Sequence, residues 1–237
     1  LELIGETSPW AATIKFLKLN QDVTCYGGLD IGLVSDMSAF AMLWPRARFA
    51  DGADPIDKKV LVCQFFMPEL GVIEKERSWQ VPLSQWAREG WIQLLPGDMC
   101  DPREIRKFIL SMASQFAVRE AGFDNWNAQV LCAELNDSGS LQCVAVPQTA
   151  KELTAPAREF LAAIHRQELV HFSNPCLAWH AGNVVLAEDE KHGGTKPEKL
   201  SPNEKIDGVS ATVNAFHRML ANPVVESVYS RRGLILL

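Results

Sequence analysis

Apolar residues in the first third of the chain come in strand-length runs. VTCYGGLDIG, MSAFAMLWP and KVLVCQFFMP are β-prone, and each is closed by Gly or Pro, which predicts three strands. The turn-rich GLVSD joins the first two and the polar ARFADGADPID joins the second to the third, so an antiparallel meander is the simplest arrangement. Past Pro68 the pattern alternates. PLSQWAREG predicts a short helix with Pro82 in its first turn and Gly90 past its end, and WIQLLPG a short strand. Asp101 and Pro102 open a helix in which Ile105, Phe108, Ile109 and Met112 fall on one face. VREAGFD reads as a strand ending on an acid, NAQVLCAELNDSG as a helix stopped by Gly139, LQCVAVPQ as a strand, and TAPAREFLAAIHRQE as a helix capped by Thr154. LVHF and NVVLAEDE are further strands around a short helix at NPCLAWH. Residues 189–203 are polar, contain Gly193, Gly194, Pro197 and Pro202, and predict a mobile loop; IDGVSATVNAFHRML is the last helix.

Three strands followed by alternating elements predict an α/β fold with a mixed sheet and helices on its faces. One domain is expected over 23–222. Residues 1–22, with an apolar stripe at Ile14, Phe16, Leu17 and Leu19, read as a linker or the tail of an upstream element, and 223–237 as a C-terminal tail. The 237 residues are 47% hydrophobic and 22% charged, which excludes a disordered tail or a coiled coil. With 23 Lys+Arg against 29 Asp+Glu the net charge is −6, which argues against a generally basic nucleic-acid coat but leaves room for a local basic groove beside an acidic site. No apolar run reaches the roughly 20 residues of a membrane helix, and no signal-peptide pattern follows Leu1, so a cytoplasmic fragment of a longer protein is expected. The six Cys form no C-x-x-C and several lie in apolar runs, so free buried thiols are expected.

Three aspartates stand out by position. Asp30 lies in the apolar run GGLDIG, Asp124 ends VREAGF, and Asp207 opens the last helix in EKIDG. Helix capping accounts for Asp207 easily and for Asp124 tolerably. It accounts poorly for Asp30, because an unpaired carboxylate within an apolar strand is costly. Carboxylates from strand ends and a facing helix can converge at one edge of a mixed sheet. Three Asp with few His suit magnesium or manganese rather than zinc, and two such ions can clamp the attacking and leaving oxygens of a phosphodiester. Asp36, across the turn from Asp30, is either a further ligand or a turn cap.

These motifs carry a resemblance. GGLDIGLVSDMSAFAMLWP, AGFDNWNAQVLCAELNDSG, the stretch with NPCLAWHAGNV, and EKIDGVSATVNAF follow in one order over about residues 23–220. The composite resembles the C-terminal nuclease domain of the terminase large subunit of tailed double-stranded DNA phages. The resemblance implies a ribonuclease H-like fold with helices on both faces of the sheet. It implies that Asp30, Asp124 and Asp207 are metal-binding catalytic acids, with Asp36 an accessory ligand and two divalent ions, Mg²⁺ or Mn²⁺, as cofactors. The implied activity is cutting of concatemeric phage DNA during packaging, in the host cytoplasm and away from any membrane. The implied partners are double-stranded DNA, a packaging ATPase domain upstream of residue 22, the small terminase subunit, the portal and, in some members, an HNH endonuclease. No G-x-x-x-x-G-K-[ST] occurs, so this chain is not expected to hydrolyse ATP by itself.

Lys196, Lys199 and Lys205 lead into Asp207 and are candidate phosphate contacts, as sequence-independent backbone binding requires. Lys191, in the same loop, reads with these lysines, whereas Arg103, Arg106, Lys107, Arg231 and Arg232 read as solvated surface. Cys176 and His180 have a zinc-ligand spacing without a second pair, and His171 and His180 read as core or surface histidines. Trp79, Trp86 and Trp91 read as packing residues, and Trp126 as a lock on the Asp124 backbone or a staple for the next helix. Two rivals remain. LDIG also resembles the phosphate loop of sugar kinases and actin-like ATPases, without their second Gly-rich motif. A non-catalytic module docking the packaging motor on its portal or small subunit is the other.

Overall fold

The three β-prone runs form strands because their alternate residues find an apolar partner on each side. The computed structural model describes residues 10–32, 37–49, 58–189 and 193–223, and the side chain of Asn127 is not among them. Strands β1 (Cys25–Asp30), β2 (Ser38–Trp44) and β3 (Lys59–Pro68) are buried almost throughout and make the expected antiparallel meander, with Gly28 opposite Ala41 and Ala41 opposite Cys63. After α2 (Val72–Trp79) and α3 (Leu83–Glu89), β4 (Ile92–Leu95) returns parallel to β3. Helix α4 (Pro102–Gln115), capped by Asp101, leads to β5 (Val118–Phe123), which lies parallel to β1. Helix α5 (Asn125–Asp137) leads to β6 (Cys143–Ala145), parallel to β5. Helix α6 (Ala150–His165), the short β7 (Leu169–Val170) beside β3, and α7 (Pro175–Gly182) follow. The chain continues with β8 (Val184–Glu188), β9 (Thr195–Lys199) and α8 (Asp207–Ala221). The sheet order is β4-β3-β2-β1-β5-β6, a mixed α/β sheet of ribonuclease H-like topology.

Period-two alternation sorts the central strands into two faces. Gly27, Leu29 and Phe40 look to one side, where Phe108 of α4 packs edge-on against Phe40 and Phe66. Gly28 and Gly122, paired across β1 and β5, look to the other side, where α8 crosses. A Cβ on Gly28 would overlap the Ala211 carbonyl and stand 2.6 Å from the Ala215 nitrogen, and one on Gly122 would lie 2.7 Å from the Asn214 carbonyl oxygen. The two glycines therefore set how closely α8 lies on the sheet, and α8 is buried along most of its length. Asn214 anchors it sideways by donating to the Leu29 carbonyl at 2.9 Å. At its far end Arg218 pairs with Glu120 of β5 at 2.8 Å, with both side chains almost wholly buried.

Several expectations are corrected. Residues 189–203 are not a loop throughout: β9 pairs antiparallel with β8, Pro197 opposite Leu186, so the main chain finds its hydrogen bonds despite the polar composition. Helix α6 begins at Ala150 with Thr149 as cap, because Thr149 Oγ1 accepts from the Glu152 N–H, while Thr154 sits inside the helix and binds Thr195 of the hairpin. Within 1–22, Ala11–Leu19 form α1, and Trp10, Phe16 and Leu17 are buried in the core of the domain, Phe16 edge-on to Trp44. Helix α2 was not anticipated, since its mostly polar sequence buries only Val72. All six cysteines are free and buried, as expected.

Candidate active site

The acids occupy the next same-face positions beyond the two glycines. Asp30 closes β1, two residues after Gly28, and Asp124 follows β5, two residues after Gly122. Alternation turns both toward α8, whose first residue is Asp207. The sheet thus delivers two carboxylates to the point where the helix, held down by Gly28 and Gly122, delivers a third. Asp30 feels both others. Burial of its carboxyl group, then the charges of Asp207 and Asp124, push it up to about 8, against an opposing hydrogen bond from Ser210 and the charge of Lys199. Asp30 as a residue keeps some exposed surface, but neighbours enclose its carboxyl group, so loss of hydration is the larger effect.

Capping separates the other two acids. Asp124 does cap α5, accepting from the Trp126 N–H at 3.2 Å. Asp207 does not cap α8: it stands at the first helical position, and the helix has no side-chain cap from Ile206. The cap comes from elsewhere in the chain. His180 is fully buried, and its Nδ1 accepts the Gly208 N–H at 3.0 Å. Its ring lies 3.8 Å from the Asp207 carboxylate, yet this is not an ion pair. Burial, reinforced by Lys205 and Lys199, pushes His180 down to about 3, so it is neutral near pH 7 and serves as an acceptor. From the sequence His180 reads only as a core or surface histidine. The signal was in the NPCLAWHAGNV motif, whose polar residues all brace the frame around Asp207. Asn174 caps α7 and donates to the Cys63 carbonyl at 3.0 Å, His180 holds Gly208, and Asn183 donates to the Lys205 carbonyl at 3.0 Å. Ser210, on the first turn of α8 beside Asp30, had no such signal.

The lysines divide. Lys199 and Lys205 both act electrostatically on His180, and Lys199 on Asp30 as well, so they border the acids. Lys196 is three residues from Lys199 on β9, hence on the opposite face, and pairs with Glu198 at 3.1 Å. Trp126 does not staple α5 to the sheet: it is 87% exposed beside Asp124. Asp36, Lys191, Arg231 and Arg232 lie outside the described residues.

The donor set of the site is carboxylate oxygen, which suits a hard divalent cation. Among the described residues no three His, Cys, Asp or Glu side chains are gathered tightly enough to form a ligand group by themselves. Asp30, Asp207 and Asp124 are the residues that would hold such a cation: burial first, and the charges of Asp207 and Asp124 after it, raise Asp30, and a cation relieves the repulsive part. Among the described residues no helix is long and apolar enough to cross a membrane.

The model of one protein family, "Terminase large subunit, endonuclease domain", matches residues 28–222. The chain belongs to this family. A curated relative, the terminase large subunit of Enterobacteria phage HK97, is 27% identical over 197 residues, covering 82% of this chain and 37% of that protein. Protein YmfN of Escherichia coli strain K12 is 27% identical over 205 residues, covering 83% of this chain and 43% of its own. The terminase nuclease domain described here therefore spans less than half the length of these relatives. Among solved structures, the HK97 bacteriophage large terminase superposes with a TM-score of 0.71 at 21% identity, over 90% of this chain and 43% of that one. The large terminase nuclease from thermophilic phage G20c, solved with bound magnesium, superposes with a TM-score of 0.51 at 10% identity, over 81% of this chain and 80% of that one. These likenesses place the domain in one fold with terminase nucleases.

Proposed function

We propose that this terminase nuclease domain is a metal-dependent endonuclease that cuts concatemeric double-stranded DNA during phage genome packaging. The observation that supports it is the carboxyl group of Asp30, enclosed at the end of the central strand and facing Asp207 and Asp124. Burying like charges together is costly unless a cation belongs among them. Asp30, Asp124 and Asp207 are the proposed metal-binding and catalytic acids, with Asp36 an accessory ligand. Magnesium, present in the G20c nuclease, and manganese are the proposed cofactors, two ions at a time. Bound there, they supply the Lewis acidity that phosphodiester hydrolysis needs. The chain's own residues do the rest. Ser210 orients the Asp30 carboxyl group, neutral His180 fixes the first turn of α8 and so the direction of Asp207, and Lys199 and Lys205 offer positive charge to DNA phosphates.

The nuclease unit is proposed to comprise 23–222 together with α1, whose Phe16 and Leu17 are part of its core, and to act in the host cytoplasm beside a packaging ATPase domain, the small terminase subunit and the portal. The test is plasmid cleavage in Mn²⁺ or Mg²⁺ by the native domain and by Asp30→Asn, which keeps the side chain's shape and removes its charge. Cleavage is expected to fall by orders of magnitude in a variant that remains folded. Cutting at the native rate by Asp30→Asn refutes the assignment, and loss of folding in its place makes Asp30 a structural acid and favours a docking module.

A further inference from the structure

Beside the acids, on the far side of His180, lies a cleft of about 500 Å³. Trp79, Trp179, Asn183, Asn203 and Lys205 line it, together with Glu204, whose carboxylate is engaged by the Ser201 N–H at 2.8 Å. Trp79 of α2 and Trp179 of α7 stack with ring centres 5.8 Å apart and planes 26° from parallel. Both are half-buried. Both pack against the core on one side, where Trp179 also meets Trp86 at 6.0 Å, and line the cleft on the other. The Lys205 ammonium stands 5.2 Å from the centre of the Trp79 ring, and that of Lys75 6.0 Å. The cleft adjoins the acids through a continuous chain of rings: Trp179 meets His180 edge-on at 4.9 Å, and His180 Nδ1 is 3.8 Å from the Asp207 carboxylate. Lys205 is also two residues from Asp207 along the chain, and Asn183 holds its carbonyl in place.

This combination is what an unpaired nucleotide requires. Aromatic faces stack a base of any identity, amide side chains meet its edge, and a neighbouring ammonium meets its phosphate. A base within a duplex is stacked on both faces and paired at its edge, so it cannot enter such a cleft without leaving the helix. We propose that the Trp79–Trp179 cleft is a subsite for one unpaired nucleotide of the DNA strand next to the scissile phosphate. The domain then acts on a locally opened strand and grips it by stacking. The inference rests on the nuclease reading for the position of the scissile phosphate, but its test reads binding alone.

Fluorescence anisotropy is measured on labelled oligo(dT) and on a labelled duplex of equal length, in EDTA so that nothing is cut. Trp79→Ala is expected to weaken oligo(dT) binding about 5- to 150-fold, the range for loss of one stacked base, and to leave duplex binding within about twofold. Trp79→Phe should recover most of the loss. Because Trp79→Ala also unstacks Trp179, Asn203→Phe serves as a second variant: Asn203 is exposed, and the added ring fills the cleft without removing either indole. It should reproduce the selective loss. Equal losses on both DNAs, or no loss in Asn203→Phe, overturn the subsite. If Asp30→Asn still cuts DNA while Trp79→Ala shows the selective loss, the nuclease assignment fails and the subsite stands as a single-strand contact. If Asp30→Asn is inactive and Trp79→Ala binds oligo(dT) normally, the subsite fails alone.

Discussion

Asp30→Asn should make the metal-free domain more stable, by an amount that grows with pH. In the folded domain the Asp30 carboxyl group is held at about 8, against 3.8 ordinarily, chiefly by burial and then by Asp207 and Asp124. Below about pH 4 folded and unfolded chains both carry the proton, and the acid has no pH-dependent effect. Between there and about 8 the unfolded chain has released the proton while the folded one keeps it, so stability falls as pH rises, and it levels off above the folded value. A window of about four pH units at roughly 1.4 kcal/mol each sets a ceiling of about 6 kcal/mol. Residual solvent contact of Asp30 and relaxation around it reduce this to an expected 2–4 kcal/mol, as order-of-magnitude figures (~). Asparagine has no proton to lose. Its advantage should be near zero at pH 4 and below, already present at pH 5, and reach roughly 5–15 °C in melting temperature at pH 8 for a domain of this size. The assay is thermal melting in EDTA of native and Asp30→Asn protein at pH 5, 6.5 and 8. Adding Mn²⁺ at pH 8 should raise the native melting temperature and move that of the variant much less, since a cation stabilises only the state that binds it. Melting curves that run parallel across pH refute the reasoning, because neither burial nor the neighbouring acids would then be raising Asp30.

The other predictions concern what positions and surrounds the acids. His180→Ala removes the acceptor of the Gly208 N–H and should cost about 1–3 kcal/mol in urea unfolding, with a loss of cleavage that mere destabilisation does not explain at low temperature. Glu120→Ala leaves Arg218 buried without its partner and should cost about 3–5 kcal/mol, whereas an exposed pair such as Arg48–Asp22 should be nearly silent in the same titration. Lys199→Ala should flatten the dependence of duplex binding on log salt by about one ion, and Lys196→Ala, paired with Glu198 on the other face of the hairpin, should not. Trp126→Ala should leave the melting temperature within about 2 °C, because an indole that is 87% exposed stabilises little in the folded domain.

Local pattern was sufficient wherever one strand or helix answers to its own periodicity. The runs around Gly28, Ala41 and Cys63 could only be buried strands, and Asp101 with Pro102 could only begin a helix, so the meander and the α/β order were legible in the chain. The same pattern singled out Asp30, since a carboxylate inside an apolar strand has no inexpensive explanation. Local rules misled where a partner distant in sequence decides. Thr149 rather than Thr154 caps α6, and Thr154 is drawn inward to Thr195 of the hairpin, 41 residues away. A polar, proline-bearing stretch becomes β9 because β8 completes its hydrogen bonds. Asp207 looks like a cap from its sequence, yet the cap of α8 is His180, 28 residues before the Gly208 whose N–H it accepts. By itself the sequence determined which residues are acids at element ends and which faces are apolar, because those depend on residue type and period. Only the tertiary structure decided that Asp30 lies within electrostatic reach of Asp207 and Asp124, because that depends on Gly28 and Gly122 letting α8 lie against the sheet, and a missing Cβ has meaning only against the helix that occupies its place.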